Sequence, residues 1–175
     1  SEIELDGTVE APFVDLKMYG DSFQQTYSGK NKVIIAPSTK TSQGVDWVIT
    51  DAMITGSGTG TTNWSLITDY ISFATPLPEG QYTFSLPQAV GKIFQLNIRD
   101  TDGVTHDYNI EAGNTTITFT TSYTASAYRF AYRTDQGAVS VSIPNKVQLE
   151  AGSTATSYEP YVGGVPAPNP DYPQV

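Results

Sequence analysis

Apolar and polar residues alternate along the middle of the chain, and turn residues recur at short intervals. This pattern predicts eight β-strands, at residues 45–50, 64–73, 81–86, 93–99, 104–110, 116–121, 127–133 and 139–150, the last interrupted at Pro144. Glycine, proline and Asp-Gly pairs separate the strands, and no stretch keeps a helical period for long. Such spacing is typical of an all-β sandwich or barrel rather than of alternating strands and helices.

The two ends of the chain differ from this middle zone. Residues 1–44 predict an irregular, turn-rich arm with one short alternating strand at 13–19. Residues 162–175 contain four prolines and predict an extended, semi-rigid strap, although a disordered tail fits the composition equally well. We therefore expect an arm at 1–44, a β-domain at 45–161 and a proline-rich strap at 162–175. Because the first residue is Ser1, we also expect a fragment of a longer protein.

Composition narrows the classes of partner. The formal net charge is −9 and the pI about 4.3, so the surface should repel the phosphates of nucleic acids and anionic membranes. The chain has no cysteine, which excludes a disulfide scaffold and thiolate metal sites. We therefore expect neither nucleic acid nor membrane as a partner.

Eight antiparallel strands predict a jelly roll, in which strands two, seven, four and five share one of two facing sheets. Because side chains alternate between the faces of a strand, Phe94, Leu96, Phe130 and Tyr132 are expected in the core. The residues expected on the outer face of that sheet are Gln95, Asn97, Arg99, Asp107, Asn109, Arg129 and Arg133, with Trp64 and Tyr70 towards an edge.

This outer face is a candidate carbohydrate site. It gathers three of the nine basic residues of an acidic chain. Amides, carboxylates and guanidinium groups can pair with adjacent sugar hydroxyls, and aromatic rings can stack on a pyranose. Two alternatives remain open: a solvated face with ordinary cross-strand pairs such as Arg99 with Asp107, and a core position for Trp64.

Several segments resemble those of a known family. The closing segment is VQLEAGSTATSYEPY at 147–161, followed by VGGVPAPNPDYPQ at 162–174. The opening stretch is APFVDLKMYG at 11–20, with Gln24 and Gly29-Lys30-Asn31 after it, and LPEGQYTFS at 77–85 supplies a middle strand. Together they resemble the tail-tip and baseplate (minor structural) proteins of siphophages of Gram-positive bacteria.

The resemblance implies a jelly roll like that of carbohydrate-binding modules, placed in the virion at the tail tip and extracellular on assembly. It further implies an oligomeric setting with other tail or baseplate proteins, and host recognition through a cell-wall polysaccharide or teichoic-acid-type glycan. The two ends carry the joining motifs, so we expect them to lie close together. The alternative is a purely structural or oligomerisation module of the tail without sugar binding.

Catalysis has little support in the sequence. The single histidine, His106, shares a strand face with Val104, Tyr108 and Ile110 and is better explained as a half-buried strand residue than as a general base. No Gly-x-Ser-x-Gly elbow is present, and the glutamates lie in turns or at strand ends without a pairing carboxylate. We therefore expect no enzymatic activity and no cofactor.

A metal site has only one sequence candidate. Residues 100–103, Asp-Thr-Asp-Gly, resemble the start of a calcium loop but lack its further ligands. A hairpin turn at Asp102-Gly103 is the simpler explanation. We assign no metal ligand, and structural calcium stays open.

Overall fold

The computed structural model describes residues 29–163. The strand expected at 13–19 and residues 164–175 of the strap lie outside this range. The described residues are all-β, with no helix that could cross a bilayer. Their twelve strands are β1 (Ser38–Ser42), β2 (Val45–Ile49), β3 (Met53–Thr59), β4 (Trp64–Leu66), β5 (Ile71–Leu77), β6 (Gly80–Ser85), β7 (Phe94–Asp100), β8 (Thr105–Ile110), β9 (Thr116–Thr121), β10 (Ala125–Arg133), β11 (Ala138–Pro144) and β12 (Gln148–Ala151).

The strands form three antiparallel sheets. The first sheet has the order β1-β2-β3-β11. The second sheet has the order β4-β10-β7-β8, and β5 also pairs with β10. The third sheet has the order β12-β6-β9.

The hydrophobic core lies between the second sheet and the other two. Trp47 of the first sheet meets Tyr132 of the second edge to face, with ring centroids 5.9 Å apart. Phe84 of the third sheet lies 6.1 Å from Phe94 and 5.8 Å from Phe130 of the second. The second sheet is therefore one layer and the first and third sheets share the other, an arrangement consistent with a β-sandwich.

The prediction for the second sheet is confirmed. Strands β7, β8 and β10 lie side by side and antiparallel. Phe94, Leu96, Phe130 and Tyr132 are each at most 5% exposed. Alternation of apolar and polar residues was enough to assign the buried face, because one face of this sheet covers the core.

The structure has twelve strands where eight were predicted, because β1 and β3 were missed and two predicted strands each divide in two. The sequence of β3, MITGSGT, looks like a turn because of its glycines. The structure shows why one glycine stands in this strand: a Cβ on Gly56 would lie 2.3 Å from Cζ3 of the Trp47 ring. A glycine inside a strand often marks such a close approach.

Two predicted strands are each divided in two, one expected to be continuous and one with an interruption expected at Pro144. The segment 64–73 divides into β4 and β5, which both pair with β10. Between them the hydroxyl of Thr68 accepts a hydrogen bond from the backbone N–H of Phe130, and the N–H of Ile67 donates to the Phe130 carbonyl. The segment 139–150 divides after Pro144 into β11 and β12, which join different sheets.

The described part of the expected arm is packed into the sheets. Strand β1 pairs with β2, and Val33 and Ile35 are buried in the core. The backbone N–H of Lys32 donates to the carbonyl of Leu149. The sheet structure thus begins before residue 45, while residues 1–28 of the arm lie outside the described range.

The two ends of the described range lie side by side. A Cβ on Gly29 would lie 2.9 Å from a methyl group of Val162. The ammonium group of Lys30 is 3.6 Å from the carboxylate of Glu159. Within the described residues, Gly29-Lys30-Asn31 therefore lies beside the end of the closing segment, while the motifs at 11–20 and 164–174 lie outside the described range.

Candidate functional site

The nine predicted site residues come together on the outer face of the second sheet. Arg129 of β10 pairs with Asn97 of β7, which pairs with Asp107 of β8. In the neighbouring row Gln95 pairs with Asn109. Because directly paired residues point to the same side of a sheet, these side chains share one surface.

Trp64 lies at one edge of this face and is not a core residue. It pairs with Arg133, whose guanidinium carbon is 5.5 Å from the centroid of the Trp64 ring. The Trp64 side chain is half-buried, whereas the core tryptophan is Trp47, which is 1% exposed. The Nε of Arg133 also donates a 2.6 Å hydrogen bond to Asp135.

Tyr70 lies against two arginines on the same face. The guanidinium carbon of Arg99 is 3.8 Å from the centroid of its ring, and that of Arg129 is 4.5 Å away. The hydroxyl of Tyr70 is hydrogen-bonded to that of Thr105 at 2.7 Å. The ring is therefore held at its polar tip and along its face.

A hydrogen-bonded chain of side chains runs across the sheet. The amide nitrogen of Asn97 donates to Gln95 at 2.8 Å and to Asp107 at 2.5 Å, while its oxygen accepts from Nε of Arg129 at 3.0 Å. The amide nitrogen of Gln95 donates to the oxygen of Asn109 at 2.9 Å. Both N–H groups of Asn97 are thus used within the protein.

Two of the predicted contact residues are therefore corrected. Gln95 and Asn97 face outward as expected, but they are only 7% and 2% exposed. Arg129 reaches the oxygen of Asn97, and long side chains of this kind cover their shorter neighbours, while Gln95 lies between Asn97 and Asn109 and bonds to both. Gln95 and Asn97 support the face. The accessible members are Trp64, Tyr70, Arg99, Asp107, Asn109, Arg129 and Arg133.

The ordinary cross-strand ion pair of Arg99 with Asp107 is not formed. In the described range, the ion pairs of lysine and arginine join Lys30 to Glu159, Lys40 to Asp69, and both Lys92 and Arg133 to Asp135. Between residues 29 and 163, then, no carboxylate lies within ion-pair distance of Arg99 or Arg129. The face has two arginines whose charge the described protein does not neutralise by direct contact.

His106 has a structural environment on the other side of β8. Its Nε2 is 2.9 Å from a carboxylate oxygen of Asp100, and its ring stacks on Tyr123 at 3.9 Å. Asp100 also accepts hydrogen bonds from the backbone N–H groups of Asp102 and Val104. The bond from His106, followed by these backbone bonds, lowers the pKa of Asp100 although burial opposes the shift.

The turn at Asp102-Gly103 is the predicted hairpin between β7 and β8. The backbone N–H of Gly103 donates to the carbonyl of Asp100, and Gly103 has a φ of 86°, in the left-handed region. Within residues 29–163, no group of three His, Asp or Glu side chains is placed to hold a metal ion.

One cleft was not found by sequence reasoning. It has a volume of about 550 Å³ and contains none of the nine predicted residues. Its walls include Phe73, Leu77, Tyr82 and Tyr161, and it borders Gly163, where the described range ends. Its lining comes from well-separated segments, so no local sequence pattern could have indicated it.

Comparisons with known proteins do not indicate a function for this chain. No family model, curated protein or solved structure matches the chain. The functional conclusion therefore rests on the composition and geometry of the outer face of the second sheet.

Proposed function

We propose that this chain is a non-catalytic carbohydrate-binding module of a phage tail tip or baseplate. It would attach the virion to a polysaccharide or teichoic-acid-type glycan of the host cell wall. The observation that carries the proposal is the gathering of Trp64, Tyr70 and three arginines on one outer sheet face. These are the aromatic and planar polar groups that sugar recognition uses.

The order of the strands supports a jelly roll like that of carbohydrate-binding modules. Counting the broken segments as single strands, the second sheet has the order two, seven, four, five. The third sheet places strand three between strands six and eight. Both orders agree with those expected for a jelly roll, to which β1 and β3 would be additional strands of the first sheet.

The division of the face into exposed and covered residues suits a binding surface. Trp64 offers a partly exposed ring for stacking, and Asp107 and Asn109 offer oxygens and an amide to sugar hydroxyls. Beneath them Gln95 and Asn97 hold their neighbours by hydrogen bonds. A face fixed in advance loses less conformational freedom when a ligand binds, which favours affinity.

A shallow, open face of this kind would bind a single glycan weakly. Many copies around a symmetric tail tip would make the attachment effective, because each further contact is formed at a high effective concentration. Oligomeric arrangement with other tail or baseplate proteins is therefore part of the proposal.

A second candidate is a structural or oligomerisation module without sugar binding. It is favoured by one observation: the hydrogen bonds of Asn97 are satisfied inside the protein. In that case the arginine-rich face would be a contact with another tail protein.

Sedimentation with purified Gram-positive cell walls, followed by a glycan array, distinguishes the two candidates. The proposal expects the chain to sediment with the walls, and the Trp64→Ala variant to remain largely in solution. Ser57→Ala, an exposed position on the first sheet, is the matched control and should sediment like the unmodified chain. If the unmodified chain binds no glycan at millimolar concentration, the structural candidate replaces the proposal.

A further inference from the structure

Two positive charges are held together on one aromatic ring at the β8 side of the face. The guanidinium carbons of Arg99 and Arg129 are 3.8 and 4.5 Å from the centroid of Tyr70. Because both carbons are measured from the same point, they cannot be farther apart than the sum of these distances. That separation is roughly a Debye length, about 8 Å at physiological salt. Like charges at this separation repel, so their placement is unfavourable unless something compensates it.

The Tyr70 ring attracts both guanidinium groups through its π face, but no carboxylate of residues 29–163 is in ion-pair contact with either. The chain carries 18 acidic residues, and Lys30, Lys40, Lys92 and Arg133 each have a carboxylate partner. Asp107 accepts its hydrogen bond from Asn97 and forms no ion pair with either arginine of the Tyr70 ring. In a protein with a net charge of −9, two adjacent unpaired arginines point to an external anion.

The donors of these arginines are also available. Nε of Arg129 is used by Asn97, but in residues 29–163 its terminal nitrogens and the whole guanidinium group of Arg99 donate to no acceptor. The Tyr70 ring holds both groups close to the face, and the Asn97 bond holds Nε of Arg129. A guanidinium edge binds a carboxylate or phosphate through two parallel hydrogen bonds.

We infer that Arg99, Arg129 and Tyr70 form an anionic subsite, which selects glycans that carry an acidic oxyanion group. This inference rests on the proposed function and deepens it by naming the ligand class. Arg133 is four residues from Arg129 along β10, about 13 Å away, and forms an ion pair with Asp135, which Lys92 also contacts. The ligand would therefore place its acidic group at Tyr70 and a neutral sugar ring at Trp64.

Calorimetric titration of the whole chain tests this with three probes: poly(glycerol phosphate), an oligogalacturonate and a neutral dextran oligomer. The first two distinguish a phosphodiester from a carboxylate as the acidic group. We expect at least one acidic probe to bind more tightly than dextran, with affinity that falls as NaCl is added. Arg99→Gln and Arg129→Gln should each weaken that binding roughly tenfold or more.

Two controls keep the test decisive. Lys146→Gln removes one charge from an exposed site outside the face and should leave the preference for acidic probes intact. Circular dichroism confirms that each variant is folded. If sugars bind but the arginine variants bind acidic probes like the unmodified chain, the anionic subsite is wrong and the carbohydrate function stands. If neither these probes nor cell walls bind, both proposals fail.

Discussion

Arg129 and Asn97 face each other across β10 and β7, and Nε of Arg129 donates a 3.0 Å hydrogen bond to the side-chain oxygen of Asn97. Arg129 remains half-buried at the surface, whereas Asn97 is 2% exposed. A single outward face therefore has two levels: residues that a ligand can touch, and residues that position them. Substitutions at the two levels should have different consequences.

Replacing Asn97 should reduce stability. Asn97→Ala removes the hydrogen bonds to the side-chain oxygen of Gln95, to Asp107 and from Nε of Arg129. Loss of such bonds at a buried position should lower the free energy of unfolding by about 1–3 kcal/mol. Urea unfolding at pH 7 measures this. Ser72→Ala, an exposed position on the same sheet, is the control and should change stability by no more than about 0.5 kcal/mol. Equal stability of Asn97→Ala and the control would show that the network is not structural.

Replacing each of the two tryptophans by alanine should reduce the free energy of unfolding by different amounts. Trp47 is 1% exposed, and its indole N–H donates to the hydroxyl of Ser65 at 2.8 Å. Trp47→Ala should therefore cost about 3–5 kcal/mol. Trp64→Ala removes a half-buried ring from the outer face and should cost about 1 kcal/mol or less. Thermal and urea unfolding of both variants measure the difference, and a loss at Trp64 as large as that at Trp47 would place Trp64 in the core.

Stability should fall in acid partly through Glu150, which is 3% exposed. Burial of Glu150 acts to raise its pKa. Hydrogen bonds from the backbone and hydroxyl of Thr156 and from Gln148, together with the charge of Lys30, lower the pKa by more than burial raises it. The pKa is therefore below its ordinary value of 4.5. A lowered pKa in the folded state means that the stabilisation is present above pH 4.5. It is lost as the pH falls through the folded-state value.

Glu150→Gln tests this pH dependence. At pH 7 the variant should be less stable than the unmodified chain by about 1–3 kcal/mol. The difference should shrink as the pH falls below 4.5, because the unmodified carboxylate becomes protonated. Glu111→Gln, at an exposed turn, is the control. Urea unfolding from pH 7 to pH 3 measures the free energies, and a difference that grows in acid would contradict the assignment.

The close contact of Gly56 with Trp47 should make that glycine sensitive to substitution. An added Cβ would lie 2.3 Å from the Trp47 ring, so Gly56→Ala should displace the ring and cost about 1–3 kcal/mol. Gly91→Ala is the matched control, because a Cβ there meets nothing within 4 Å. Thermal unfolding compares the two variants. Equal melting temperatures of Gly56→Ala and Gly91→Ala would show that the Trp47 ring can shift without loss of stability.

The second sheet could be predicted from the sequence because large apolar residues recur at every second position of β7 and β10. Phe94, Leu96 and Phe130 lie where that alternation puts them. The same rule could not find β3, whose glycines reflect a contact with Trp47 that is distant in sequence.

The sequence predicted which residues lie on the outer face, but not how far each of them is exposed to solvent. Alternation placed Gln95 and Asn97 on the outer face, but it carries no information on how far a neighbouring arginine bends. Asn97 lies under the hydrogen bond from Arg129, and Gln95 is bonded to Asn97 and Asn109, contacts that only the folded structure shows.

The most direct test of the central claim is an NMR titration of the isotope-labelled chain with solubilised Gram-positive cell-wall polysaccharide. The chain has two tryptophans, so its two indole N–H signals report separately on the outer face and the core. We predict that the signal of Trp64 and the Nε–H signals of Arg129 and Arg133 shift in proportion to added glycan, while that of Trp47 stays in place. Shifts confined to the cleft at Tyr82 and Tyr161, or no shifts at all, would contradict a carbohydrate site on this face.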